Sequence, residues 1–215
     1  MRSRKIPAAV RPSASQQYSD LVLRPWAESD ALGLREAIDE DVGHLKPWLS
    51  WTLDEPSTLE HTRVRLRGYV DQFRMGQAYR YAITPVDRPP LILGGAHLNC
   101  RVGPAAHDVG YWVRRSAVRQ GIAGAAVSTL AVHAFARRNV DRLLSQCDVA
   151  NSASAALARA LGFQFIGART TTYPDGAPRP VLEFEMTRES YSLHHALMLR
   201  ERARRVHFIE KTTIP

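Results

Sequence analysis

The feature that most constrains the fold is a strand-like segment followed by a glycine-containing loop and a long apolar helix. DVGYWVR (108–114) has a strand-forming composition, VRQGIAGAA (118–126) forms the loop, and a helix is predicted over 122–138. Such a loop exposes backbone N–H groups at a helix start, where the helix dipole favours an anion. The loop therefore predicts a phosphate site, although Gly121 and Gly124 alone are equally compatible with the start of a buried helix.

A second strand and helix follow directly. RLLSQCDV (142–149) has the pattern of a strand, and a short helix is predicted to begin at Asn151 and to end at Gly162, with Ser154 in its first turn. Asparagine is a good N-cap even without a ligand. The order strand, helix, strand, helix predicts a parallel pair, and the carboxyl ends of neighbouring strands are where an α/β sheet tends to place its ligand. Both helix starts are therefore expected to border one cleft.

The rest of the chain divides into short strands and two amphipathic helices. A first strand is predicted over 20–26, a helix over 28–40, and a second helix from the N-cap Ser57, with Glu60 completing a capping box, to about Met75. Further strands are predicted at 79–84 and 91–100, which form a meander with 108–114, and at 163–168 and 181–187, which form a hairpin. Residues 190–215 are predicted to lie outside this sheet.

Composition indicates a globular protein with basic tails. The chain has 215 residues, 45% of them hydrophobic, and a net charge of +8. Its longest nearly apolar stretch, 122–136, is shorter than the ~20 residues of a membrane span, and residues 1–15 lack the apolar core of a secretory signal. We expect a cytoplasmic protein without a membrane segment. Arginines crowd both tails, so solvated tails are at least as good an interpretation as a nucleic-acid site, and the sequence lacks interleaved aromatic and basic residues. Cys100 and Cys147 are interpreted as buried thiols, and no metal is expected.

The motifs in this order resemble those of the GNAT acetyltransferases. VRQGIA is similar to the family's acyl-CoA loop, with Gly121 and Ala123 on its last two fixed positions. GYWV (110–113), N-x-x-S…L-G-F from Asn151, and HLKPWLSW (44–51) resemble the RimJ and RimL branch, which acetylates N-termini of ribosomal proteins. The resemblance covers about residues 20–189.

This resemblance implies an α/β GNAT fold, with a central, mixed, mostly antiparallel sheet of about seven strands flanked by helices. The domain would span residues 20–189, between a basic N-terminal tail at 1–19 and a basic C-terminal extension at 190–215. In that extension, leucines and arginines suggest an amphipathic helix. We expect it to pack on the domain or on a second subunit in preference to binding nucleic acid. A homodimer is a family-level expectation.

The resemblance also implies a site for the co-substrate acetyl-CoA. Backbone groups of Trp112 and Val113 would bind the pantetheine arm and the acetyl carbonyl, Asn151 would hydrogen-bond the co-substrate, and Ser154 would lie near the sulfur. The pyrophosphate would be held by the amides of Arg119, Gln120, Gly121, Ile122, Ala123 and Gly124. A hydroxyl at a helix start is suited to stabilising a departing thiolate.

Three positions depart from the family pattern. Val118 replaces the Gln or Arg that usually opens the loop, so a side-chain contact is lost while the amides are retained. Ala158 stands where many GNAT enzymes have a tyrosine that acts as the general acid. Without that phenol, Ser154 is the remaining candidate acid. Tyr173 lies near the place where RimL-type enzymes can carry a glutamate.

Candidates for the base and for the acceptor site are less well defined. His97, Glu183 and Asp108 are candidate general bases, although each residue type is more often structural at such a position. An N-terminal amine has a pKa of only ~8, so a strong base is not essential. Trp48 and Trp51 are candidates for lining the acceptor site, although they are equally suited to anchoring the core. Tyr111 is the third candidate substrate-binding residue.

The leading hypothesis is acetyl transfer from acetyl-CoA to a protein or peptide N-terminal amine by direct attack in a ternary complex. The alternative enzyme acetylates a small amine such as a polyamine, an amino acid or an antibiotic. A polycationic substrate would need an acidic pocket, for which Asp39, Glu40 and Asp41 are the candidates. The alternative from another class is a non-catalytic GNAT module that senses acetyl-CoA or associates with RNA.

Overall fold

The computed structural model describes residues 20–52, 55–100, 103, 105–137, 139–172, 176–191, 193–203 and 206–208. Within these ranges the chain forms one sheet and five α-helices. The strands are β1 (Leu21–Pro25), β2 (Ala78–Pro85), β3 (Gly94–Asn99), β4 (Ala106–Val113), β5 (Arg142–Asp148), β6 (Gln164–Thr172), β7 (Pro178–Thr187) and β8 (Val206–Phe208). The helices are α1 (Ala31–Leu45), α2 (Leu59–Arg74), α3 (Ile122–Ala136), α4 (Ser152–Ala160) and α5 (Leu193–Ala203).

The strands lie in the order β6-β7-β5-β4-β3-β2-β1-β8. Strands β1 to β4 form an antiparallel meander, β4 pairs with β5 in parallel, and β7 pairs antiparallel with both β5 and β6. This confirms the mixed, mostly antiparallel sheet, the meander and the parallel pair. The described sheet has eight strands where about seven were predicted.

Helices cover the sheet from both sides. One apolar cluster joins α3 and α4 to the sheet, and fully buried members include Leu130, Leu143 and Phe184. A smaller cluster lies under α1 and α2, with Ile38 and Leu66 at its centre. Burying each large apolar side chain contributes about 1.5–3 kcal/mol. The two clusters hold the helices against a twisted sheet whose middle carries the candidate site.

The prediction that residues 190–215 have no place in the sheet is wrong for 206–208. These residues form β8, which pairs in parallel with β1 and so covers that edge strand. The preceding helix, α5, packs on α3 and buries Ala196 and Leu199. The ring of Phe208 stacks on His133 of α3, with centroids 4.0 Å apart. Packing of the extension on its own domain, one of the two predicted forms of packing, is therefore what the structure shows.

The predicted N-cap of α2 is wrong by one residue. Thr58 caps the helix, because its hydroxyl accepts a hydrogen bond from the amide of His61 at 3.1 Å. Ser57 instead accepts a hydrogen bond from Arg35 at 3.0 Å. A long-range contact has taken the side chain that the local pattern assigned to the cap.

Candidate active site

The sheet opens between β4 and β5, which run parallel to each other. Strand β4 pairs with β5 over three positions only, ending with Asp108 opposite Leu144. Beyond this pair, β4 continues along β3 and β5 continues along β7. The two strands therefore separate and leave a gap between residues 109–113 and residues 145–148.

Strand geometry decides which backbone groups face this gap. The amide of Arg114 donates toward β3, at 2.8 Å, and the carbonyl of Ala105 accepts from the β5 side. Because the peptide groups of successive residues in a strand point to opposite sides, Tyr111 and Val113 direct their N–H and C=O groups into the gap. Trp112 directs its own toward β3. The backbone contact that the resemblance implies for Trp112 is therefore better assigned to Tyr111, and for Val113 it stays a prediction.

The start of α3 borders the gap and carries no side-chain cap. Gly121, the N-cap residue, has a left-handed backbone with φ 76°, and Arg119 has φ 62°. The first helical hydrogen bond in the structure runs from the amide of Ala125 to Gly121. Since the earlier amides of a helix have no intrahelical partner, those of 122–124 are open to an anion. The arrangement fits the phosphate site that the loop predicts.

The start of α4 borders the same gap but is capped. The side-chain oxygen of Asn151 accepts a hydrogen bond from the amide of Ser154 at 3.1 Å. This leaves the NH₂ group of Asn151 to donate elsewhere, because the amide has separate donor and acceptor atoms. The hydroxyl of Ser154 accepts a hydrogen bond from the phenol of Tyr111 at 3.1 Å. Tyr111 thus lies with Ser154, although the sequence suggested it as a substrate contact.

Two of the three candidate bases lie together. His97 on β3 is opposite Gly110 on β4, and its ring is so close that a Cβ added at Gly110 would lie 2.4 Å from it. The Nε2 atom of His97 is 3.7 Å from Oδ2 of Asp108, the last residue of β4 that pairs with β5. The pair therefore stands where the strands begin to separate.

Glu183, the third candidate base, is engaged by other side chains. Its Oε1 atom accepts from Nε of Arg169 at 2.7 Å and from the amide of Gln146 at 3.1 Å. Arg169 also donates to Gln146. The three side chains link β5, β6 and β7 on one face of the sheet, which gives Glu183 a structural role.

The connection between α1 and α2 lies against β7, on the side of the sheet that α1 and α2 cover. Its Trp48 is half-buried, and the carbonyl of Pro47 accepts a hydrogen bond from Arg179 of β7 at 3.4 Å. The connection thus reaches across to the β6–β7 hairpin. The side chain of Trp51 and the whole of Tyr173 lie outside the described residues, so their predicted placements stay predictions.

Buried ion pairs fix this connection, and the sequence patterns did not reveal them. The carboxylate of Glu55 is fully buried and contacts Arg35 at 2.6 Å and Arg65 at 3.3 Å. Burial raises the pKa of the Glu55 carboxyl, but the hydrogen bonds and charges of Arg35, Ser57 and Arg65 outweigh this, so its pKa lies below the usual value. The only local signal was an acidic residue beside a proline, which does not identify distant partners.

The three consecutive acidic residues in the second half of α1 are also engaged. Asp39 pairs with Arg35 at 2.8 Å, and Glu40 pairs at 2.9 Å with Arg114, whose side chain is 2% exposed. The carboxylate of Asp41 accepts a hydrogen bond from the backbone amide of Arg115. Glu40 and Asp41 thus tie α1 to the segment that leads into the α3 loop, and the three carboxylates do not form a free acidic pocket.

The cysteines are free and half-buried, and burial raises the pKa of both thiols. Over the described ranges, no three His, Cys, Asp or Glu residues are arranged to hold a metal ion. None of the helices in those ranges is long and apolar enough to cross a bilayer.

Comparison with known proteins agrees with this geometry. A family model described as "Acetyltransferase (GNAT) domain" matches residues 20–164. Among solved structures, RimL, a ribosomal L7/L12 alpha-N-protein acetyltransferase in complex with coenzyme A, is similar with 25% identity and a TM-score of 0.71, over 81% of this chain and 98% of that one. Mycobacterium smegmatis RimJ with CoA-disulfide is similar with 23% identity and a TM-score of 0.71, over 87% and 95%.

The fold extends to a third acetyltransferase. The microcin C7 self-immunity acetyltransferase MccE, in complex with acetyl-CoA and AMP, has a TM-score of 0.72 at 16% identity, over 85% of this chain and 97% of that one. No curated protein matches the sequence significantly. The strand gap, the two helix starts beside it and the matching family model lead to one conclusion: the chain is an acetyltransferase that belongs to the GNAT family.

Proposed function

We propose that this enzyme transfers the acetyl group of acetyl-CoA to the N-terminal α-amine of a protein, by direct attack in a ternary complex. The observation that carries the proposal is the gap between β4 and β5, bordered by an uncapped helix start on one side and by Asn151 and Ser154 on the other. A ribosomal protein is the acceptor class that the similar RimL structure favours, and it would place the reaction in the cytoplasm.

Acetyl-CoA would lie in the gap between β4 and β5, where its extended pantetheine arm would take the place of a neighbouring strand. The amides at the start of α3 would hold the pyrophosphate, since both their free N–H groups and the helix dipole favour negative charge. The inward N–H and C=O groups of Tyr111 and Val113 would hydrogen-bond the pantetheine arm. The NH₂ group of Asn151 is free to donate to the same arm because only its oxygen is used by the cap.

The amine would approach from the face covered by α1 and α2. His97 and Asp108 stand on this face where the strands separate, and they are placed to accept the amine's proton directly or through water. As the amine attacks, the carbonyl oxygen gains charge that the inward amides of β4 can stabilise. The electron pair of the broken C–S bond passes to sulfur beside Ser154.

A polycationic small amine is less well supported. Such a substrate would need uncompensated carboxylates, but Asp39, Glu40 and Asp41 each have a partner within the protein. Glu183 is also paired with an arginine. These contacts favour an acceptor that presents a single reactive amine.

The test is thiol release from acetyl-CoA with peptides bearing free N-termini, with the same peptides blocked at the N-terminus, and with polyamines and amine antibiotics. Mass spectrometry locates the acetyl group. We expect turnover with the free peptides and a reduced rate in Asn151→Ala and Ser154→Ala. Ser152→Ala, an exposed serine on the same helix, is the matched control and should retain full activity.

Two outcomes would contradict the proposal. Turnover confined to polyamines or antibiotics would show a small-amine acetyltransferase. Binding of acetyl-CoA without thiol release from any acceptor would favour the non-catalytic module that senses acetyl-CoA.

A further inference from the structure

The hydroxyls of Tyr111 and Ser154 meet across the gap in the sheet. Tyr111 lies on β4, three residues beyond the last pair with β5, and its phenol donates to Oγ of Ser154 on α4 at 3.1 Å. Both side chains are only partly exposed, and the ring of Tyr111 packs on the core cluster under α3. The hydrogen bond therefore joins β4 to the first turn of α4.

This hydrogen bond controls where the proton of Ser154 can point. A serine hydroxyl has one proton, and within a helix it commonly spends that proton on the carbonyl four residues earlier. Here the lone pairs of Oγ receive the phenol proton, and the backbone amide of Ser154 is already held by Asn151. The phenol thus occupies an acceptor position of Oγ, and the serine O–H is the donor that remains on this side chain.

We propose that Tyr111 is a positioning residue: its phenol orients the Ser154 hydroxyl so that the serine proton points at the sulfur of the bound thioester. The inference rests on the proposed function and deepens it by assigning the group that supports Ser154. It also bears on Ala158, which replaces the tyrosine that many members of the family carry on α4. In this protein a phenol reaches the first turn of α4 from β4 instead.

The chemistry balances without a further reactant. The amine nitrogen forms the new C–N bond, the C–S bond breaks, and its electron pair stays on sulfur. Ser154 donates a hydrogen bond to the thiolate and keeps its proton. The proton that the amine loses protonates the thiolate before CoA leaves as the free thiol. Burial raises the pKa of the Tyr111 phenol, so Tyr111 stays protonated and keeps donating to Ser154.

The first test is kinetic. Tyr111→Phe removes the phenol and keeps the ring, and we expect kcat to fall about tenfold, the value of one oriented hydrogen bond, with little change in KM for acetyl-CoA. In a Ser154→Ala background the same substitution should have no further effect, because the group that it positions is gone. Tyr79→Phe is the matched control: Tyr79 lies on β2, outside the gap, against Phe73.

The second test needs no acceptor and therefore separates this inference from the proposed function. The thiolate absorbance of bound CoA is followed against pH, with CoA lacking its sulfur as the blank. A serine proton aimed at sulfur lowers the pKa of the bound thiol, so Tyr111→Phe and Ser154→Ala should raise it by similar amounts and without additivity. If Ser154→Ala raises it and Tyr111→Phe does not, the inference is overturned, whether or not any peptide is acetylated. An equal loss of kcat in the Tyr111→Phe variant with and without Ser154 would overturn it as well.

Discussion

The two sides of the cleft are built by different means. The co-substrate side depends on backbone geometry: a left-handed Gly121 begins α3 without a cap, and Asn151 begins α4. The acceptor side depends on charged side chains, since the connection between α1 and α2 is held by the buried carboxylate of Glu55 between Arg35 and Arg65. The amides are proposed to bind the pyrophosphate, which every acyl-CoA shares, whereas the ion pairs fix the segment that is proposed to border the acceptor.

Substitutions on the acceptor side should therefore change mainly stability, and those on the co-substrate side mainly the binding of acetyl-CoA. A buried ion pair that loses one partner leaves an uncompensated charge, so its loss destabilises the fold. An altered helix start mainly changes the position of the amides that face the ligand.

The largest expected effect is that of Glu55→Ala on stability. Removing this carboxylate leaves Arg35 and Arg65 buried without their shared partner, which costs about 3–5 kcal/mol in the free energy of unfolding. Urea denaturation measures the change. Glu60→Ala, which removes an exposed carboxylate paired with Arg67, is the control and should cost far less, because solvent screens an exposed pair. Equal losses in the two variants would mean that the buried cluster does not hold the acceptor side.

Gly121→Val should act on the co-substrate. Valine strains the left-handed backbone by about 1–3 kcal/mol, although there is space for its Cβ. The displaced amides should raise KM for acetyl-CoA about 10- to 100-fold. Gly76→Val introduces similar strain at φ 64°, at the end of α2, and should lower stability without changing this KM. An unchanged KM in Gly121→Val would show that the loop amides do not bind the co-substrate.

Asn151→Asp should separate the two uses of that side chain. Aspartate keeps the oxygen that caps α4 but loses the NH₂ donor, so stability should hold while KM for acetyl-CoA rises about tenfold. Asn151→Ala should show the same rise in KM and also lose about 1 kcal/mol of stability. Thermal unfolding and kinetics are measured on both variants. Wild-type kinetics in Asn151→Asp would reduce this residue to a helix cap.

The smallest expected effect is on the pH dependence of stability. Because the pKa of Glu55 is lower in the folded than in the unfolded chain, its contribution is complete above the unfolded value of about 4.3 and is lost as the pH falls through the folded value. The wild type should therefore lose more stability than Glu55→Gln between neutral pH and acid pH. Urea midpoints across this range test the prediction, and parallel curves for the two proteins would contradict it.

Much of the fold was predictable where a local pattern has one physical meaning. Gly121 and Asn151 mark helix starts because few other residues serve there, and Gly162 ends α4 with φ 88°. The N-cap of α2 was predicted at Ser57 and lies at Thr58, since both residues can cap and only the distant Arg35 decides between them. The short strand β8 was missed because three residues carry too little pattern.

By itself, the sequence determined most of the order of strands and helices and the two helix starts at Gly121 and Asn151, because these depend on residues close together in the chain. The tertiary structure alone decided that Tyr111 contacts Ser154 and that His97 lies beside Asp108. It also decided that Glu40 of α1 pairs with Arg114, before α3. Each of these contacts joins elements that only the sheet brings together. A hydrogen bond or an ion pair depends on distance in space, and a one-dimensional pattern does not contain that distance.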